Sequence, residues 1–163
     1  MSGIIVQKFG GTSVADTEKI KHVAEVVMAE RSLGNDVVVV VSAMGHTTDH
    51  LVKLANEISE TPPSRELDML LSTGEGISIA LLAMALETAG CKAVSMNAMQ
   101  VGIITENIHS KARIVDIKTE KLDNYIDKIK AIVLIEIKIV NKYEDFITIL
   151  LSQFYGKEAR NQM

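Results

Sequence analysis

The sequence predicts an α/β protein built on a mainly parallel sheet, and three features carry that reading. An apolar run, Ile4-Ile5-Val6, leads through Lys8 into Gly10-Gly11. A segment of helical period follows, over about 17–31, and then five consecutive valines, Val37 to Val41. Strand, glycine turn, helix and β-branched strand make one βαβ unit, whose crossover is expected to be right-handed.

The first strand spans about Gly3 to Lys8 and is apolar enough to be covered on both faces. Ile20, Val23, Ala24, Val27 and Met28 then recur at i, i+3, i+4 spacing. Asp16 or Thr17 can cap this helix, and Gly34 can stop it. The valine run, Asp36 to Val41, asks for a central strand covered on both sides.

The turn Lys8-Phe9-Gly10-Gly11-Thr12-Ser13 joins a strand to a helix. Such a turn exposes backbone N–H groups beside the positive end of a helix dipole and suits an anion. Glycines allow close approach and Lys8 adds a mobile positive charge. The same residues also serve simply as a tight turn, and no G-x-x-x-x-G-K-[ST] motif occurs. The second strand ends in Ser42-Ala43-Met44-Gly45-His46-Thr47-Thr48-Asp49. In a parallel sheet this loop leaves by the same edge as the Lys8 turn, where ligands of open α/β sheets bind. Ser42, Gly45, Thr47 and Thr48 therefore face the anion candidate. One of them is also expected to cap the next helix, about Asp49 to Ser59.

Pro62-Pro63 breaks the chain. A helix over Arg65 to Ser72 is expected to be interrupted at Thr73-Gly74-Glu75-Gly76, with a second helix from Ile77 to Thr88. Glu75 at that start has two readings, a partner of the helix dipole or a receptor for a substrate ammonium group. Ala93 to Met96 is a strand, 97–102 a loop, Ile103 to Thr105 extended, and Ala112 to Ile117 a strand. Thr119 can cap a helix over Glu120 to Lys128, a β-prone run fills Ile129 to Val140, and Glu144 to Phe154 can form a helix.

Composition bounds the function. With 163 residues, 47% apolar and 23% charged, the chain suits one globular domain. A net charge of −4 without a basic run argues against nucleic acid as a partner. A single cysteine, Cys91, fits a reducing compartment. No uncharged apolar run reaches bilayer length and no signal peptide is evident, so no membrane partner and a cytoplasmic location are expected. His22, His46, His50 and His109 show no close metal-ligand spacing, and no protein metal site is expected.

Four segments in order carry a family resemblance. Lys8-Phe9-Gly10-Gly11-Thr12-Ser13-Val14 resembles the N-terminal signature of aspartokinases, which have the amino acid kinase fold. Val39 to Gly45 with Thr47-Thr48-Asp49 is similar to their second motif. Arg65 to Glu75, with Ser78 and Ala80 to Met84, resembles the third, and His109 with Ala112-Arg113-Ile114 a fourth. The resemblance covers about residues 3–130. It implies an open αβα sandwich, here incomplete, and phosphorylation of L-aspartate by ATP to 4-phospho-L-aspartate, the step that opens the route to lysine, threonine and methionine. It further implies that Lys8 is catalytic, that Lys8, Phe9, Gly10, Gly11 and Ser42 hold ATP, that Thr48 and Glu75 bind aspartate, and that Mg²⁺ accompanies the phosphates.

The chain departs from the family in places. Asn97-Ala98-Met99-Gln100-Val101-Gly102 stands where the family has Thr-Gly-x-Gln-Ala-Gly, and Gly76 stands for glutamine. No Gly-Arg-Gly-Gly-Ser-Asp segment occurs. Residues 131–163 are therefore expected to be a divergent or frameshifted tail, with no ACT regulatory domain. A half-domain of this kind is expected to self-associate or form a homo-oligomer. The competing expectations are another amino acid kinase and a catalytically inactive fragment that keeps a phosphate-binding corner.

Overall fold

A computed structural model of the chain describes residues 3–109, 112–118, 120–129 and 131–136. The expected cap at Thr119, the end of the 129–140 run and the helix at Glu144 to Phe154 lie outside the described residues. The parallel strands are β1 (Ile4–Phe9), β2 (Asp36–Val41), β3 (Ala93–Met96) and, last in sequence, β6 (Ile132–Glu136). Their order is β1-β2-β6-β3, every neighbouring pair parallel. A short antiparallel pair, β4 (Ile103–Thr105) with β5 (Ile114–Ile117), stands apart from this sheet.

β2 lies inside the sheet, and its five valines are all buried. Strand alternation divides them between two cores. Val37, Val39 and Val41 pack with Ile20, Val23 and Val27 of α1 (Thr17–Ser32) and with Ile79, Leu82 and Leu86 of α3 (Ser64–Thr88). Val38 and Val40 pack with Val101, Ile103, Ile117, Leu122 and Ile126 on the other face. That second layer comprises α4 (Ala98–Val101), the β4–β5 pair, α5 (Glu120–Asp123) and a π-helical turn, Asn124–Ile129. Two layers around a parallel sheet make the expected αβα sandwich.

β6 places Ile132 and Leu134 in one core and Val133 and Ile135 in the other. The boundary expected at residue 130 thus falls just before a strand that fills the middle of the sheet. β1 is an edge strand, and its residues are half-buried or, at Lys8, exposed, so the expected cover on both faces is incomplete.

Asp16 caps α1, its carboxylate accepting from the Lys19 N–H at 2.9 Å, and Gly34 turns the chain at φ +89°. The expected break at 73–76 does not exist: α3 is one helix of 25 residues. A helical glycine costs about 1 kcal/mol against alanine, but Gly74 sits where a side chain would crowd its neighbours. A Cβ there would lie 3.1 Å from the Ala43 Cβ and 3.4 Å from the Thr47 Cγ2. Close packing therefore keeps the helix whole. α3 is long and apolar enough to cross a bilayer, yet Leu71, Gly74, Ile79, Leu82 and Leu86 are buried within the fold, as in a core helix.

Three smaller expectations change. The loop at 97–102 contains α4, started by a capping box: the Asn97 side chain accepts from the Gln100 N–H at 2.8 Å, and the Gln100 side chain from the Asn97 N–H at 2.9 Å. The helix expected over 120–128 is one α turn followed by the π turn. α2 (Thr47–Ile58) begins two residues early, with His46 at the cap position and no side-chain capping bond. None of Ser42, Gly45, Thr47 and Thr48 is the N-cap of α2.

Candidate active site

All four parallel strands end at one edge, and the turns that follow β1 and β2 are fastened together there. The Gly45 N–H donates to the Gly11 carbonyl at 3.0 Å, and the Ser42 N–H donates to the Phe9 carbonyl at 3.1 Å. The Ser13 N–H closes the turn onto the Gly10 carbonyl at 2.9 Å, within a short 3-10 turn, Gly11–Val14. The approach is so close that a Cβ on Gly11 would lie 2.7 Å from the Ala43 carbonyl oxygen. Gly45 takes φ +47°, a left-handed conformation that glycine adopts without strain.

Lys8 is exposed and its ammonium arches over the glycine turn. A Cβ on Gly10 would lie 3.8 Å from the Lys8 Nζ. Phe9 is half-buried against the α1–α3 core, so of this residue it is the backbone carbonyl that serves the turn. Ser42 is half-buried at the mouth of β2. The result is a cation above a glycine turn whose backbone is held by its neighbour. This arrangement suits phosphate oxygens, which ask for convergent donors and positive charge.

The second pair of residues sits on helices. Thr48 lies half-buried in the first turn of α2. Glu75 lies in the middle of α3 and is only 6% exposed. The dipole reading of Glu75 therefore falls, because helix-end charges act within the first or last turn. A Cβ on Gly74 beside it would meet Ala43, Thr47 and Leu51, so this stretch of α3 is seated against the β2 loop and α2. Lys8, Gly10, Gly11 and Ser42 thus stand at one strand edge, with the helices that carry Thr48 and Glu75 packed on the same loop.

Sequence reasoning missed two contributors. Ala43 is the carbonyl that demands glycine at 11, and Gly74 is the seat of α3; a glycine inside an apolar helix was the available signal. Apart from these, a hollow of about 460 Å³ lies beyond the end of β3, lined by Met96, Gln100, Glu120, Lys121, Asn124 and Tyr125. It depends on how α4 and α5 meet, for which the sequence carries no local sign.

An open parallel sheet with its glycine turns fastened at one strand edge defines an α/β protein of the amino acid kinase fold. The chain belongs to the amino acid kinase family, whose model matches residues 3–149. It is 60% identical over 126 residues to an aspartokinase of Geobacillus stearothermophilus, a match that covers 77% of this chain and 31% of that protein. The crystal structure of aspartate kinase from Synechocystis superposes with a TM-score of 0.70 at 45% identity, over 81% of this chain and 21% of that one. Escherichia coli aspartokinase III, solved in complex with aspartate and ADP, shares the fold at a TM-score of 0.67 and 21% identity, over 82% of this chain and 40% of that one. The chain spans about a third of the length of the aspartokinases it matches.

Proposed function

We propose that this chain forms the phosphate-holding and aspartate-holding part of an ATP-dependent aspartate kinase. The observation that carries the reading is the seat of α3 at Gly74 on the β2 loop, which is itself bonded to the Lys8 turn. Donors for phosphate and a buried carboxylate for an ammonium group thereby stand on one connected frame. The complex of E. coli aspartokinase III with aspartate and ADP supports the choice of ligands.

In this reading Lys8 and the glycine turn bind the transferring phosphoryl oxygens, Phe9 and Ser42 shape the same pocket, Glu75 receives the substrate ammonium and Thr48 donates to the substrate. A side-chain carboxylate oxygen of aspartate attacks the γ-phosphorus. A new P–O bond forms, the bond to the β–γ bridging oxygen breaks, and ADP leaves with that electron pair. The substrate is its own nucleophile, so the protein's task is alignment and charge neutralisation. Each charge-assisted contact to phosphate contributes about 1.5–3 kcal/mol. The donor set here fits phosphate oxygens and not a cation. Mg²⁺ would therefore ride on the phosphates, as it commonly does, and would neutralise their charge. The product, 4-phospho-L-aspartate, places the chain at the first step towards lysine, threonine and methionine, in the cytoplasm.

The second reading is a catalytically inactive fragment that keeps its phosphate corner. Coupled measurement of ADP release with and without L-aspartate separates the two. Aspartate-dependent ADP supports the kinase; nucleotide binding without turnover supports the fragment. ADP release that needs a different acceptor overturns aspartate as the substrate. The sheet ends and the uncovered apolar residues of α3, Met69, Ile77 and Met84, also favour self-association. A sharp monomer peak on gel filtration overturns that part.

A further inference from the structure

The fourth segment of the family resemblance, His109 with Ala112-Arg113-Ile114, runs into the start of β5. Its histidine, His109, follows β4 in the layer that covers one face of the sheet, whereas α3 belongs to the layer on the other face. Even so, the His109 Nδ1 lies 3.5 Å from the Asp68 Oδ2 of α3. The contact therefore joins the two layers beyond the strand ends, across the crevice where ligands of such sheets bind.

Asp68 stands seven residues before Glu75, which in a helix puts both on one face about 10 Å apart along the axis. Buried Leu71 lies between them on that face, and buried Ser78 continues it. The first turns of α3 pass the seat at Gly74, and over residues 64–70 no side chain is buried. α2, which packs beside this part of α3, buries none of its own. This arm of the site is thus thinly anchored, and the His109–Asp68 pair meets it from the opposite layer.

We propose that His109 is a positioning residue: through Asp68 it holds the first turns of α3 over the crevice and thereby sets the placement of Glu75 for the amino acid substrate. The substrate half of this proposal rests on the aspartate reading above; the clasp itself does not. The Asp68–His109 pair is partly exposed, at 33% and 49% of the side chains, so its energetic weight is modest.

The test compares His109→Ala, Asp68→Ala, the double variant and His109→Asn, whose amide offers a donor at similar reach. Hydrogen exchange is read over residues 64–72 and 103–117, and the KM or Kd for L-aspartate is measured alongside kcat. Each alanine variant is expected to speed exchange in both segments and to weaken aspartate about twofold to fivefold. The change falls in KM and not in kcat, the double variant is no worse than either single one, and His109→Asn recovers most of the loss. Unchanged exchange in both segments, or losses that simply add in the double variant, overturns the clasp. If the unaltered chain binds no aspartate, the aspartate reading fails by itself, and the exchange measurements still decide whether His109 holds α3.

Discussion

The two sides of the candidate site are built by different means. On the phosphate side, backbone meets backbone: Gly45 bonds to Gly11, Ser42 to Phe9, and only a hydrogen at position 11 fits below the Ala43 carbonyl. On the acceptor side, Thr48 and Glu75 ride on two helices, one of which buries no residue at all. The contrast teaches that the phosphate corner is fixed by main-chain geometry, while the acceptor arm is set by side-chain packing at a few points, chiefly Gly74. A rigid corner suits a ligand group common to many reactions. An arm held by packing can change its substrate by changing side chains.

Substitutions on the two sides should therefore fail differently. The largest effect is expected from Lys8→Ala. Loss of the charge over the glycine turn should cut turnover about a hundredfold or more, while the melting temperature stays within about 2 °C because Lys8 is exposed. A steady-state assay paired with a thermal melt checks both, and an undiminished rate removes Lys8 from the mechanism. Glu75→Gln comes next. It should raise the KM for aspartate about tenfold to a hundredfold and leave nucleotide affinity unchanged, so titration of each ligand separately shows whether the sides are independent. Equal losses for both ligands would mean that the corner and the arm act as one unit. Gly11→Ala comes last: it should act on the fold rather than on one ligand, costing about 1–3 kcal/mol of stability through overpacking against the Ala43 carbonyl. Denaturant unfolding measures it. A neutral result would show that the corner yields more easily than its contacts imply.

Much of the fold was legible because its signals are local. The valine run at 37–41 demanded a central strand and became one. Asp16 and Gly34 marked the ends of α1 as their chemistry requires. The turn at Lys8 and the loop beside it were legible for the same reason, since the glycines, the lysine and the second loop are near one another along two short stretches. The course of α3 was not. Gly74 and Gly76 read as a break in a helix, because a glycine's cost is intrinsic to the sequence and its benefit is not. That benefit is the space left for Ala43, some thirty positions away, whose Cβ would lie 3.1 Å from a Cβ at position 74. The expected capping of α2 by a hydroxyl failed similarly, because His46 took the position through the path of the loop. At 97–102 the capping box of Asn97 and Gln100 was written in the sequence but lay hidden in a stretch too short to show a period.

By itself, the sequence determined the βαβ start, the parallel sheet, the glycine turn that follows Lys8 and the family resemblance. All of these rest on propensity, period and turn chemistry acting over a few residues. The tertiary structure alone decided that α3 is one helix, that Glu75 is buried far from any helix end, that β6 enters the sheet between β2 and β3, and that His109 reaches Asp68 across the strand ends. Each of these is a contact between distant segments, and its free energy exists only once the sheet has brought them together.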